Sequence, residues 1–278
     1  MNTLATHLFR VALLSFLCGG PAWAQDCRFS SDRAANFSGT IKKVVISAGE
    51  GSLKVSGAAS GVNAKGRACA SAESILSKIT LESRREGDVV YLTVAIGSAG
   101  MGNMFSFNKY ASLDLDITVP KTAELNITDT GGDIELSDVG RTQITDDSGD
   151  LLLKNINGDL DVTDESGEMR IMSVAGRVTV KDGTGGIDIE DVRSDVKIIS
   201  DGAGDMSIVK VTGNVDVVED GSGDIVIREV GGNVVIGKDG SGDIKVTEVQ
   251  GKFSVMQDSS GEILHDHVRG SVRIPARS

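Results

Sequence analysis

The sequence predicts an all-β fold: a right-handed parallel β-solenoid of two-strand coils, 18–19 residues each, closed by a strand-rich N-terminal segment. Three observations predict it. Glycine punctuation repeats along the second half, apolar residues alternate with polar ones between the marks, and β-branched side chains fill the apolar positions.

The first 24 residues read as a secretory signal. Arg10 precedes the apolar run Val11 to Leu17, and Ala22-Trp23-Ala24 supplies a small-residue cleavage site before Gln25. That run is too short to span a bilayer, and no later segment approaches the roughly 20 apolar residues a span needs. Cys18 raises a lipid anchor, but Phe16 and Leu17 stand where such processing needs a small residue, so the expectation is an exported chain, periplasmic or at the cell surface. Removing Arg10 leaves 27 basic against 40 acidic side chains, a formal charge of −13, which argues against nucleic acid as a partner. The mature chain keeps Cys27 and Cys69, and an oxidising compartment predicts a disulfide between them.

Residues 25–127 lack the repeat and are expected to form the N-terminal β cap. Alternation marks strands at Lys43 to Ser47, Ser52 to Ser56, Ile79 to Ser83, Val89 to Val94 and Leu113 to Val119, with a short helix around Ala70 to Leu76. A cap is needed because an open terminal coil exposes unpaired strand edges.

Residues 128–278 carry the repeat. One series of glycines, Gly149, Gly167, Gly185, Gly204, Gly223, Gly242 and Gly261, is spaced by 18, 18, 19, 19, 19 and 19 residues, and a second series from Gly140 to Gly270 runs halfway between. Equivalent turns at a fixed period imply coils that stack like upon like. The strands after the first series are expected to bury a ladder of Ile134, Leu152, Ile171, Ile189, Ile208, Ile227 and Val246. Those after the second bury Val162, Val180, Ile198, Val217, Ile236 and Val255. In the last coil His265 takes an inward slot, the sign of a terminal cap.

The run Leu113-Asp114-Leu115-Asp116-Ile117-Thr118-Val119-Pro120, then Leu125-Asn126-Ile127-Thr128, Gly132-Asp133-Ile134-Glu135-Leu136 and the repeated Ser-Gly-Asp-Ile units resemble the DUF4097 family of bacterial β-strand-repeat, adhesin-like proteins, over roughly residues 40 to 274. The resemblance implies an extracytoplasmic β-helix-like protein with an adhesive role. It brings no catalytic or ligand residues.

Three constellations are candidates for function. The stacked turns Asp201-Gly202-Ala203-Gly204-Asp205, Asp220-Gly221-Ser222-Gly223-Asp224 and Asp239-Gly240-Ser241-Gly242-Asp243 place carboxylates about 4.8 Å apart, which makes Ca²⁺ on Asp201, Asp205, Asp220, Asp224, Asp239 and Asp243 a hypothesis beside plain solvated turns. Looser copies occur at Asp146, Asp164, Asp182 and Asp258. The loop Gly100 to Tyr110 gathers Met101, Met104, Phe105, Phe107 and Tyr110 in a small-residue setting, either an adaptable contact surface or a plug over the first coil. His265 and His267, expected on one strand face with Asp266 between them, are too few ligands to outweigh an end-coil role.

Enzyme signatures are missing from the sequence. Its Gly-x-Gly turns precede strands where a phosphate loop needs a helix, and aromatics for stacking sugar are scarce. The expectation is a non-enzymatic, cofactor-free interaction protein, adhesin-like, for a cell-envelope or surface protein or glycan. A calcium-rigidified stalk and, further off, a polysaccharide-acting enzyme are the alternatives.

Overall fold

A computed structural model describes residues 27–97 and 109–275. Two 12-stranded sheets face each other across one core. The first sheet runs from Phe29–Phe37 through Val62–Ala70, Ala111–Pro120, Leu53–Ala58 and Ile134–Ser137, then one strand per coil to Ile263–Val268. The second runs from Ile79–Glu86 through Val89–Ile96, Lys43–Ser47 and Glu124–Asp129, then one strand per coil to Val272–Arg273. From Glu124 onward each coil sends one strand to each sheet, and successive coils pair in parallel, within a β-solenoid of about eight turns.

Residues 25–127 contribute two kinds of strand. Leu53–Ala58 lies in parallel register between Leu115 and Ile134, and Lys43–Ser47 between Val89–Ile96 and Glu124–Asp129, so this segment supplies part of the stack out of chain order. Antiparallel pairs finish the end: Phe29–Phe37 with Val62–Ala70, and Ile79–Glu86 with Val89–Ile96. The short helix is a single turn, Glu73–Leu76.

The first-sheet ladder differs from expectation at its first two members, by two residues at Ile134, which is nevertheless buried, and by one at Leu152. Leu136 and Leu153, not Ile134 and Leu152, stand in line with Ile171, Ile189, Ile208, Ile227 and Val246. Ile134 belongs to the neighbouring inward column with Leu151, and Leu152 lies on the outer face, half-buried. Side chains alternate with period two, so miscounting by one exchanges core for surface. The second-sheet ladder falls where expected, with Val162, Val180, Ile198, Val217, Ile236 and Val255 all buried.

A third inward column, Ile156, Val174, Val192, Val211, Val230 and Val249, follows a left-handed backbone residue in each coil: Asn155, Ser173, Asp191, Lys210, Glu229 and Glu248 have φ between 54° and 62°. That reversal breaks the alternation so that two buried residues fall three apart at the strand's end. The glycines of the turns are dictated by stacking. At Gly223 φ is 137° and a Cβ would lie 1.9 Å from the Gly204 carbonyl oxygen of the preceding coil, which no side chain tolerates.

The change of repeat from 18 to 19 residues has one structural origin. Val180 pairs with Ile198, but Lys181 pairs with Ser200, so Ile199 is an inserted bulge residue. The following coils keep the insertion: Val217 and Glu219 pair with Ile236 and Lys238, and these with Val255 and Gln257, leaving Val218, Gly237 and Met256 in line with Ile199.

Candidate functional site

From Glu124–Asp129 to Phe253–Asp258, each second-sheet strand ends in an aspartate, or is followed directly by one, turned toward the solenoid interior. Asp129, Asp146 and Asp164 lie in direct parallel register, as do Asp220, Asp239 and Asp258, and Asp201 bridges to Asp220. Together with Asp182 they form an inner column that follows the whole regular stack. From Asp129 to Asp239 these residues are no more than 4% exposed. Both carboxyl oxygens of Asp146, Asp182, Asp201, Asp220 and Asp239 are buried without a hydrogen-bond partner, and one oxygen is so placed in Asp129, Asp164 and Asp258.

Burial is the leading cause of their perturbed acidity. It pushes Asp129 and Asp201 up to about 7, and Asp146, Asp164 and Asp182 to about 6, from 3.8. Asp220 and Asp239 are raised too, first by burial; Asp220 then raises Asp239 and Asp201 raises Asp220, whose hydrogen bond with Asp239 acts the other way. Turn amides such as those of Asp147 and Ser148 offset part of the effect at Asp146. The direction has a simple energetic basis. At one coil's spacing, about 4.8 Å, two carboxylates repel by about 3.5 kcal/mol at an effective dielectric of ~20. A fully ionised column repeats that term at every step and would outweigh the ~5–15 kcal/mol by which a domain is ordinarily stable.

Four residues further along each turn stands an outer column with the opposite character. Asp205, Asp224 and Asp243 are exposed, and each uses one oxygen to accept the main-chain N–H one coil on: Asp224 N–H to Asp205 Oδ1 at 3.0 Å, Asp243 N–H to Asp224 Oδ1 at 2.9 Å, Glu262 N–H to Asp243 Oδ1 at 2.8 Å. Across the solenoid the other turn does the same with Asp195, Asn214 and Asn233, whose Oδ1 atoms accept from Asn214, Asn233 and Lys252 at 2.8–2.9 Å. The six aspartates expected as one metal-binding set therefore divide into inward Asp201, Asp220 and Asp239 and outward Asp205, Asp224 and Asp243. Among the described residues no three His, Cys, Asp or Glu side chains form a group that could hold a metal ion. Asp129 was missed by sequence reasoning, although Asn126-Ile127-Thr128-Asp129 repeats the Ile-Thr-Asp ending of Ile144-Thr145-Asp146.

The bulge residues make a second feature, on the outer face of the second sheet. Ile199 (44% exposed), Val218 (41%) and Met256 (57%) form an apolar ribbon one coil apart, with Gly237 between the last two. The charges beside it neutralise each other: Lys197 Nζ lies 3.4 Å from Asp216 Oδ2 and Lys238 Nζ 2.6 Å from Glu219 Oε1.

Of the loop singled out in the sequence, Met101, Met104, Phe105 and Phe107 lie outside the described residues. Tyr110 is half-buried; its N–H donates to Ser71 Oγ at 3.2 Å, and its hydroxyl accepts from Arg28 N–H at 3.0 Å, beside the Cys27–Cys69 disulfide. His265 does pair with Val246 in the inward register and its ring lies 6.2 Å from that of buried Phe253. His267 does not share its face in an unbroken strand, because its φ of 51° places it at the left-handed position of the coil. Its Nδ1 lies 2.7 Å from Asp266 Oδ2. No described helix is long and apolar enough to cross a membrane.

The profile of the Toastrack DUF4097 family matches residues 42–232. Among solved structures, the chain is similar to a candidate cell adhesion protein from Clostridium sporogenes (14% identity, TM-score 0.35, covering 88% of this chain and 99% of that one). It is also similar to a candidate lipid-binding protein from Parabacteroides distasonis (15%, 0.41, 89% and 97%) and a candidate adhesin from Parabacteroides merdae (13%, 0.33, 88% and 96%). Among curated proteins none matches.

Proposed function

The chain belongs to the Toastrack DUF4097 family, and from that premise we propose that it is an exported, non-catalytic interaction module, adhesin-like, that holds a cell-envelope or surface protein against the outer face of its second sheet. The observation that carries this reading is the ribbon of Ile199, Val218 and Met256. An inserted residue in each of four coils costs regular pairing, and three of the four place a large apolar side chain in water. The paired charges on either side leave apolar contact as the ribbon's main offering. Aliphatic and thioether groups suit a protein surface better than a sugar, which favours aromatic faces. The Cys27–Cys69 disulfide supports an oxidising destination.

The test is retention on envelope fractions of the source organism, comparing the wild type with the triple variant Ile199→Lys, Val218→Lys, Met256→Lys, each checked for folding by circular dichroism. Loss of retention in the variant is expected. Equal retention removes this face from the proposal, and no retention of the wild type removes the adhesin-like role.

A calcium-rigidified stalk is the second reading, resting on the exposed carboxylates Asp205, Asp224 and Asp243 that follow one another at one-coil spacing. It requires a melting midpoint that rises in millimolar calcium and falls again with chelator. An unmoved midpoint eliminates it.

A further inference from the structure

The inner aspartate column has a chemistry that neither the adhesive reading nor the turn geometry uses. Its side chains follow one another coil by coil, buried from Asp129 to Asp239 and half-buried at Asp258, and most of their carboxyl oxygens have no hydrogen-bond partner. The charged side chains outside the column that bear on it are also acids, each a smaller influence than burial and the turn amides: Glu50 on Asp129, Asp147 on Asp146, Asp150 on Asp164 and Glu168 on Asp182. Positive charge is not what neutralises it. A carboxylic acid has what a carboxylate lacks, an O–H donor, and the acceptor it needs is the next carboxylate one coil away.

We propose that the inner column from Asp129 to Asp258 is a proton-loaded ladder, in which carboxylic acids share their protons with carboxylates of adjacent coils, so that coil stacking tightens when protons bind and loosens when they leave. Each shared proton replaces a repulsive contact by an O–H···O⁻ hydrogen bond without any group outside the chain. Because the column runs along the whole regular stack, the proton count sets the rigidity of the entire rod. The device makes the protein a stiffer scaffold in mildly acidic surroundings than in alkaline ones. It stands whether or not the outer face binds a protein.

The side-chain carboxyl carbons report this directly. In uniformly ¹³C-labelled protein titrated from pH 4 to pH 10, a subset of aspartate carboxyl signals is expected to change about two or more pH units above the rest. That late-titrating subset should lose a member in each of Asp146→Asn and Asp201→Asn, while the exposed-column variant Asp224→Asn leaves it intact. The wild-type titration decides the question even if a variant does not fold. If every aspartate completes its titration in the ordinary carboxylate range, the ladder is not protonated and the proposal fails. It fails equally if excess chelator at pH 8 shifts the column's signals, because a bound cation would then be the neutralising species.

Discussion

Replacing Asp146 by Asn should change how stability depends on pH more than it changes stability itself. Asp146 is fully buried, and burial lifts its carboxyl from 3.8 to about 6. A group with a raised folded value binds protons more readily folded than unfolded. Its stabilising contribution is therefore complete below about pH 4 and is lost as pH rises through 6. Two pH units correspond to about 3 kcal/mol at 1.36 kcal/mol per unit, a ceiling for one site. Asn carries no charge at any pH and can donate from its amide, so the loss is absent in the variant. Between pH 4 and pH 8 the variant should gain up to about 3 kcal/mol on the wild type, or about 6–12 °C in melting midpoint for a chain of this size. Thermal melts by circular dichroism at both pH values and matched ionic strength measure it. Asp224→Asn is the control, because the Asn214 amide oxygen already does at its turn what Asp224 Oδ1 does here, accepting the next coil's N–H. Parallel pH profiles for wild type and Asp146→Asn would refute the reasoning, as would a wild type that grows more stable relative to the variant from pH 4 to pH 8.

Other expectations follow from the packing. Ile227→Ala removes a fully buried side chain flanked by Ile208 and Val246 in the ladder, and chemical denaturation should show a loss of about 2–5 kcal/mol. Glu229→Gly replaces an exposed side chain at φ 57° by the residue that adopts this region freely, and should raise the melting midpoint, with a gain of about 1 kcal/mol at most. Joint replacement of Cys27 and Cys69 by Ser opens a loop closed over 42 residues and should cost about 2–4 kcal/mol, read as a lower denaturant midpoint matched by the reduced wild type.

The solenoid was legible because stacking imposes identical turns, and identical turns need glycine at identical intervals: Gly204, Gly223 and Gly242 each approach the preceding coil within 1.9 Å of where a Cβ would be. Strands built from small residues were not legible. Val62–Ala70 alternates buried and exposed as cleanly as any strand, but its inward positions include Ala64, Gly66 and Ala68, which give little hydrophobic contrast. The left-handed residue of each coil was hidden for a different reason. It is filled by Asn, Ser, Asp, Lys, Glu or His, so only its repeated place before an inward Val or Ile marks it. The change from 18 to 19 residues was visible as a number. Its meaning, a bulge that projects Ile199 and its successors outward, required the register.

The division of the turn aspartates shows why composition alone misassigned them. In the Asp-Gly-Ser-Gly-Asp unit the first aspartate closes a strand in which the extra bulge residue returns it to the inward side, whereas the last precedes a strand and sits at the corner in water. One residue type thus meets two environments within five positions. The outer carboxylate accepts an N–H from the next coil; at the opposite turn Asp195 does the same, and the Asn214 amide is the chief cause that holds its carboxyl below the usual range. The inner carboxylate meets a like group and loses by being ionised. Raising pH therefore charges the interior column, where each added charge meets another at the next coil. A substitution that neutralises one inner residue should therefore be least harmful, and even stabilising, under the alkaline conditions that charge its neighbours in the column.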